Sequence, residues 1–194
     1  MGNSGGLRMA WSDKTLKEFQ DALASDAPTP GGGSAAGVAL GQAAALAIMV
    51  SDLTLSKEHY NVGWNVANEI KAVAEGLLNE GLELATRDSD AFDVVVASFR
   101  MSKSTDAEKE TRKKAIHLAT LGAAEVPFLT AIRALELLKL LPELAEKGNP
   151  NALSDVGVSA LLASTALKGG IFNVEINLQS LPSDQGLEMR ERCL

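Results

Sequence analysis

From Pro28 to Ser51 the chain carries no charged side chain, and the run opens with Pro28-Thr29-Pro30-Gly31-Gly32-Gly33-Ser34. No other stretch narrows the fold as far. The prolines hold the backbone extended and forbid a helix before Pro30, while three successive glycines let it turn through conformations closed to other residues. Between Ser34 and Val50 the residues are mostly Ala, Gly, Val, Leu, Ile and Met, with Gln42 the only strongly polar side chain. That composition predicts a helix from Ser34 to about Leu53, apolar all round and so central to the fold. Gly33, Gly37, Gly41 and Ala45 recur every fourth residue and predict a ridge poor in side chains, along which a second helix approaches closely. A membrane span is one alternative, but Ala and Gly dominate where Leu and Ile are expected, and Asp26 and Asp52 flank the run. A nucleotide phosphate loop is another, yet there is no Lys-Ser/Thr pair, no preceding strand and no Gly-x-Gly-x-x-Gly spacing. What remains is a helix N-terminus exposed at a site, whose free N–H groups and dipole hold a carboxylate or polarise a carbonyl.

The chain has 194 residues, enough for one domain that buries its core without metal or disulfide staples. Residues 1–11 are expected to form a flexible leader and 12–194 a single helical domain. Cys193 is the only cysteine, which excludes a disulfide framework and fits a reducing compartment. Met1–Ala10 lacks the apolar centre of a signal peptide, so the protein is expected in the cytoplasm. The net charge of -7 argues against nucleic acid, which needs clustered Lys and Arg. Arg112-Lys113-Lys114 follows Asp106, Glu108 and Glu110 at helical spacing and reads as a solvated, ion-paired face.

In chain order, Ser12 or Asp13 is expected to cap a first helix with Leu16, Phe19 and Leu23 on one side. After the apolar helix, Thr54 to His59 reads as a polar turn containing Lys57. A helical pattern then runs from Tyr60 to about Met101 and contains Asp88, which shares a face with Phe92 and so places a carboxylate one turn from an expected core aromatic. A solvated surface acid is the alternative for Asp88. Thr105 and Glu108 form a capping box for the next helix, expected to run to Leu121, bend at Pro127 and continue to about Lys147. Neither His59 nor His117 has a metal-ligand partner at short spacing, so no metal site is expected. Asn149, Asn151, Ser154 and Asp155 gather many hydrogen-bonding groups around Gly148 and Pro150, which loop capping alone can explain. Asn173 and Asn177 share one face of an apolar helix; buried amides require partners, and the pair reads equally as structural or ligand-binding.

Read together, three separated motifs resemble one family. Pro28-Thr29-Pro30-Gly31-Gly32-Gly33-Ser34, then Asp88-Ser89-Asp90-Ala91-Phe92, then Gly148-Asn149-Pro150-Asn151 with Ser154-Asp155 and Phe172-Asn173-Val174-Glu175-Ile176-Asn177, are similar to the cyclodeaminase/cyclohydrolase family over about Leu16 to Leu181. The resemblance implies an all-α fold, a bundle of long antiparallel helices around the central apolar helix, and a homodimer. It also implies one-carbon chemistry on tetrahydrofolate with no metal or nucleotide cofactor. Asp88 stands at the position of the family's acid/base, and Lys57 where a base meets the substrate's glutamate tail. The matched motifs put Thr29, Pro30, Gly31, Gly32, Gly33, Ser34, Asn149, Asn151, Asp155, Asn173 and Asn177 in the expected substrate-binding set. Three residues depart from the family pattern: Asp52 replaces the common Asn, Ser56 the common Gly, and Glu58 a second base, giving a more acidic turn. The resemblance also implies a long final helix beyond Leu194. It covers both formimidoyltetrahydrofolate cyclodeaminases and methenyltetrahydrofolate cyclohydrolases. The altered turn and the missing final helix leave a non-catalytic folate-binding or helical interaction protein as the alternative.

Overall fold

The structure, a computed structural model, describes residues 9–193. Its helices are α1 (Leu16–Leu23), α2 (Gly32–Leu55), α3 (Trp64–Phe99), α4 (Asp106–Lys147), α5 (Leu153–Gln179) and α6 (Leu187–Arg192), joined in part by 3-10 turns at Trp11–Asp13, Glu58–Gly63 and Pro150–Ala152. Among the described residues there is no strand, as the sequence led us to expect.

The four long helices form an up-down-up-down bundle. Ser34 lies opposite Asp88 and Gly41 opposite Leu78, so α2 and α3 are antiparallel. On its other side α2 meets α5, where Ser159 Oγ donates to Ala43 O at 2.8 Å and Gly169 packs against Ala36, again antiparallel. Arg133 of α4 pairs with Glu80 of α3 at 3.0 Å, and Gly170 of α5 packs against Pro127 of α4. The core between them is aliphatic, with Leu40, Val50, Ile70, Leu84, Leu137 and Leu141 almost fully enclosed.

The small-residue ridge has the expected consequence. A Cβ at Gly37 would stand 2.7 Å from Ala85 N and Gly81 O, and one at Gly81 only 2.6 Å from Gly41 N, so the backbones of α2 and α3 touch without intervening side chains. The helix is not enclosed on every side, however: Gln42, Ala45, Met49 and Leu53 form a solvent-exposed stripe along it. By length and composition alone, α2, α4 and the segment Pro150–Gln179 are each long and apolar enough to cross a membrane.

Three local expectations are corrected. The cap of α1 is Thr15 rather than Ser12 or Asp13, because Glu18 completes a capping box with it: Thr15 N–H donates to Glu18 Oε2 at 2.7 Å and Glu18 N–H to Thr15 Oγ1 at 3.2 Å. Arg112 does not simply face solvent but donates to Phe99 O at the end of α3, a site that favours a cation. Lastly, the helix expected to reach Leu121 and resume past Pro127 is one continuous helix, α4, with Pro127 and Pro142 inside it. A proline lacks the N–H that would bond the carbonyl four residues back, here Ala123 O. Asn177 of α5 takes its place, its Nδ2 donating to Ala123 O at 3.1 Å.

Of the expected leader, residues 1–8 lie outside the described residues. Trp11, its last residue, is fastened to α3: its backbone N–H donates to Thr86 Oγ1 at 2.9 Å and its indole N–H to Ser89 Oγ at 3.0 Å.

Candidate active site

The proline-glycine loop delivers the chain to the N-terminus of α2. The Thr29–Pro30 peptide is cis, Pro30 is buried, and Gly31 caps α2 with extended angles, φ -129° and ψ -158°. Contrary to the expectation of glycine-only angles, none of the three glycines has positive φ; among the described residues only Gly186 does. What the loop needs is space. A Cβ at Gly33 would overlap the Asp88 carboxylate, 2.6 Å from its carbon and 2.8 Å from Oδ2, whereas one at Gly32 would make ordinary contact with Asn173 Nδ2 at 3.4 Å.

Asp88 reaches this loop from α3. Ser34 Oγ donates to its Oδ2 at 2.9 Å, and the Ser34 backbone N–H donates to the same carboxylate. The free N–H groups expected to hold a carboxylate thus hold one from the chain itself, in the manner of an N-cap supplied by another helix. Burial pushes the Asp88 carboxyl above its ordinary value, and the two Ser34 hydrogen bonds pull it back only in part. Asp88 is therefore not a solvated surface acid, unlike its exposed neighbours Asp90 and Asp93.

Around it lies a cleft of about 190 Å³ between α2, α3, α4 and α5, lined by the loop, Asp88, Phe92, Ala123, Asn173, Ile176 and Asn177. Phe92, expected in the core, is 38% exposed and forms a wall of this cleft. Both asparagines have one amide function committed to backbone: Asn173 Nδ2 donates to Gly169 O at 2.8 Å, as Asn177 Nδ2 does to Ala123 O. Their structural and ligand-facing readings are thus compatible, since both residues line the cleft and each amide has hydrogen-bonding capacity beyond that one bond. A carboxyl with a raised pKa, flanked by amide groups and apolar walls, is suited to moving a proton to or from a nitrogen or oxygen. Among the described residues no three His, Cys, Asp or Glu side chains gather as a metal site requires.

The other candidate residues lie at the opposite end of the bundle. Asn149 N–H donates to Thr54 Oγ1 at 2.9 Å, Asn149 Oδ1 accepts from Asn151 N at 3.0 Å, and Asn151 Nδ2 donates to Tyr60 OH at 3.2 Å. They close the loops beyond the C-terminal ends of α2 and α4. Lys57 is exposed in the turn after α2, and Asp155 occupies the first turn of α5, where a carboxylate complements the helix dipole. Twenty residues of helix separate Ser34 from Thr54, roughly 30 Å at 1.5 Å per residue. Within one chain, then, Lys57, Asn149, Asn151 and Asp155 do not join Asp88. Nor is the turn as acidic as it reads, because Lys71 pairs with Asp52 at 2.6 Å.

Two residues absent from the sequence-based set stand behind Asp88. Ser89 Oγ lies 3.0 Å from Ser34 Oγ and accepts from the Trp11 indole. The available signal was a tryptophan at the end of a Gly- and Ser-rich leader in a chain with only 4% aromatic residues.

A family model described as formiminotransferase-cyclodeaminase matches residues 15–192. The methenyltetrahydrofolate cyclohydrolase of Methylorubrum extorquens is 37% identical over 169 residues, 87% of this chain and 81% of that protein. The formimidoyltransferase-cyclodeaminase of Gallus gallus is 30% identical over 172 residues, 89% of this chain but 32% of that protein's length. Among solved structures, formiminotetrahydrofolate cyclodeaminase from Thermotoga maritima superposes with a TM-score of 0.79 at 30% identity, covering 94% of this chain and 85% of that one.

Proposed function

This chain belongs to the formiminotransferase-cyclodeaminase family, and we propose that it is a tetrahydrofolate one-carbon enzyme in which Asp88 moves the proton at the carbon between N5 and N10. The observation that carries the reading is the buried Asp88 carboxyl, held at the N-terminus of α2 and open to the cleft. Two reactions fit it. In deamination N10 of 5-formiminotetrahydrofolate attacks the formimino carbon and its proton passes to the imino nitrogen; the protonated carboxyl then supplies the second proton, the bond from carbon to that nitrogen breaks, and ammonia leaves with the 5,10-methenyl cation formed. In hydrolysis water adds to the carbon of 5,10-methenyltetrahydrofolate and the carboxylate takes one of its protons; that proton passes to N5 as the bond to N5 opens, and the remaining hydroxyl proton is released to solvent, giving 10-formyltetrahydrofolate. An aspartate serves either step, and its negative charge stabilises the cationic methenyl carbon.

The same reading includes a homodimer. A cleft of about 190 Å³ is smaller than the roughly 300 Å³ or more of most ligand sites. Beside it α5 leaves Phe172 and Ile176 exposed, and farther along the bundle Leu161 of α5 and Met49 and Leu53 of α2 are exposed. A second copy related by a two-fold axis across the bundle covers such apolar stripes, makes α2 central to the assembly, and brings its own Lys57 end to this chain's Asp88. We read the dimer as cytoplasmic and in need of no metal or nucleotide.

The test is Asp88→Asn assayed on both folates, by decay of methenyltetrahydrofolate absorbance and by ammonia release from 5-formiminotetrahydrofolate. Asparagine preserves size and helix capping but lacks the exchangeable acid proton. Loss of a positioned acid/base lowers turnover about a hundred- to ten-thousand-fold, and the substrate on which the parent shows that activity assigns the reaction. Parental rates in the variant would refute the role of Asp88; no turnover of either folate by the parent would refute the enzyme.

A further inference from the structure

We infer that Trp11 orients the acid proton of Asp88: its indole N–H fixes the direction of a buried hydroxyl chain through Ser89 and Ser34, so that Oδ2 of Asp88 only accepts and Oδ1 carries the exchangeable proton. The direction follows from what each group can do. An indole N–H donates and has no acceptor, so Ser89 Oγ, 3.0 Å away, must accept from it. The single hydroxyl hydrogen of Ser89 is then directed to Ser34 Oγ at 3.0 Å, and that of Ser34 to Asp88 Oδ2 at 2.9 Å. Reversing the chain would make Ser89 accept twice and leave its own hydrogen without a partner where neither serine meets solvent, a costly arrangement. A proton on Asp88 therefore resides on Oδ1, on the side facing Gly33, where both residues border the cleft.

Trp11 is built to hold this position. Its backbone N–H is anchored one turn away on the same helix, at Thr86 Oγ1, and its ring packs edge-on against Phe19 with centroids 5.5 Å apart. The match to the family begins at residue 15, so nothing in that match assigns Trp11 a role. Among the described residues, the groups lining the cleft from α2, α4 and α5, namely Gly33, Ala123, Asn173, Ile176 and Asn177, include no second titratable side chain. Arg87 and Asp90 on α3 and Asp13 in the Trp11 turn are exposed. Among the described residues, the hydroxyl chain and the Ser34 backbone N–H are thus polar influences that reach Asp88 from outside the cleft. Trp11 is a positioning residue, acting through two serines on a group that we read as the acid/base, and the inference deepens that reading and rests on it.

The experiment titrates Asp88 directly in the full chain, without folate, by 13C NMR of aspartate-labelled protein, with Asp88→Asn assigning the resonance. Trp11→Phe keeps the ring and removes the N–H; Ser89→Ala removes the link at almost constant volume. In both, the carboxylate loses an aligned chain of donors, so its titration midpoint is expected to rise by about half a pH unit. The Trp11→Phe/Ser89→Ala double variant should match Ser89→Ala alone. The acid limb of turnover should move by the same amount, with KM unchanged. Parental midpoints in both single variants, or an additive double variant, would overturn the relay. If Trp11→Phe fails to fold, Ser89→Ala still decides it by the same midpoint. The NMR readout does not depend on turnover: a shifted midpoint in a protein inactive on both folates sinks the proposed function and leaves the relay, whereas an unshifted midpoint in an active enzyme does the reverse.

Discussion

Replacing Gly33 with alanine puts a methyl group where the Asp88 carboxylate now lies. The new Cβ would stand 2.6 Å from the carboxylate carbon, while ordinary contact begins at 3.4 Å, so the carboxylate must retreat by at least about 0.8 Å. The Ser34 Oγ to Oδ2 hydrogen bond is 2.9 Å, and a retreat of that size takes it past hydrogen-bonding distance. A hydrogen bond to a charged group contributes about 1.5–3 kcal/mol, equivalent to a rise of about one to two pH units in the midpoint of Asp88. A misplacement approaching 1 Å also lowers a proton transfer by up to about a hundred-fold. Gly33→Ala should therefore lose turnover on folate by one to two orders of magnitude, with its acid limb moved to higher pH. Gly32→Ala is the control, because its Cβ meets Asn173 at 3.4 Å and leaves Asp88 alone. Rates and pH profiles of the two variants on methenyl- and formiminotetrahydrofolate are the assay. Equal turnover in both would show that the glycines do not make room for Asp88, and the site as described would be wrong.

Three further outcomes follow from the same contacts. Gly37→Ala forces a methyl into the backbone of α3, at a cost of about 1–3 kcal/mol, whereas Gly76→Ala meets nothing within 4 Å and gains up to about 1 kcal/mol of helix propensity; thermal melts should move in opposite directions. Asn177→Leu leaves Ala123 O, on a residue 5% exposed, without its donor, and should lower stability by about 1–3 kcal/mol, near 2–4 °C in Tm per kcal/mol for a chain of this size; an unchanged Tm would mean the carbonyl finds another partner. Since burial raises the folded pKa of Asp88 above 3.8, the folded protein is penalised as pH rises through that pKa and not below pH 3.8. Asp88→Asn, neutral throughout, should be more stable than the parent in denaturant at pH 7, with the difference closing toward pH 3.8.

Much of the bundle was legible because its signals are local. The uncharged run fixes α2, the Thr105–Glu108 box fixes the start of α4, and the glycine ridge foretells the contact of α2 with α3. What escaped depends on a partner distant in sequence. The apolar composition around Pro127 gives no hint that a side chain from α5, fifty-four residues on, replaces the lost hydrogen bond and keeps α4 unbroken. The glycine run suggests special angles, but its need arises from Asp88, which only the fold puts there. Trp11 lies in a stretch whose composition reads as a leader, and its bond to Ser89 spans 78 positions. The separation within one chain of Asp88 from the asparagine motif at residues 149–155 was illegible for a different reason. Its residues are spaced like the family's in sequence, but in an up-down-up-down bundle the ends of α2 and α4 fall at one pole, and the start of α2 at the other.

That polarity gives the two-ended set of candidate residues its sharpest test. If Lys57 acts on substrate, one chain's Lys57 cannot serve its own Asp88 across roughly 30 Å of helix, and it must serve the Asp88 of a second copy. Lys57→Ala and Asp88→Asn would then each cripple every site in their own homodimers. Mixed by unfolding and refolding in equal amounts, half of the dimers contain one chain of each kind. Each of those carries one site with both substitutions and one site with neither. Activity should return to about a quarter of the parental value, with no new contact made. If both residues served the site of their own chain, every site in the mixture would carry one defect and no activity would return. Sedimentation at micromolar concentration provides the prior condition, because a protein found only as monomer excludes the shared site altogether.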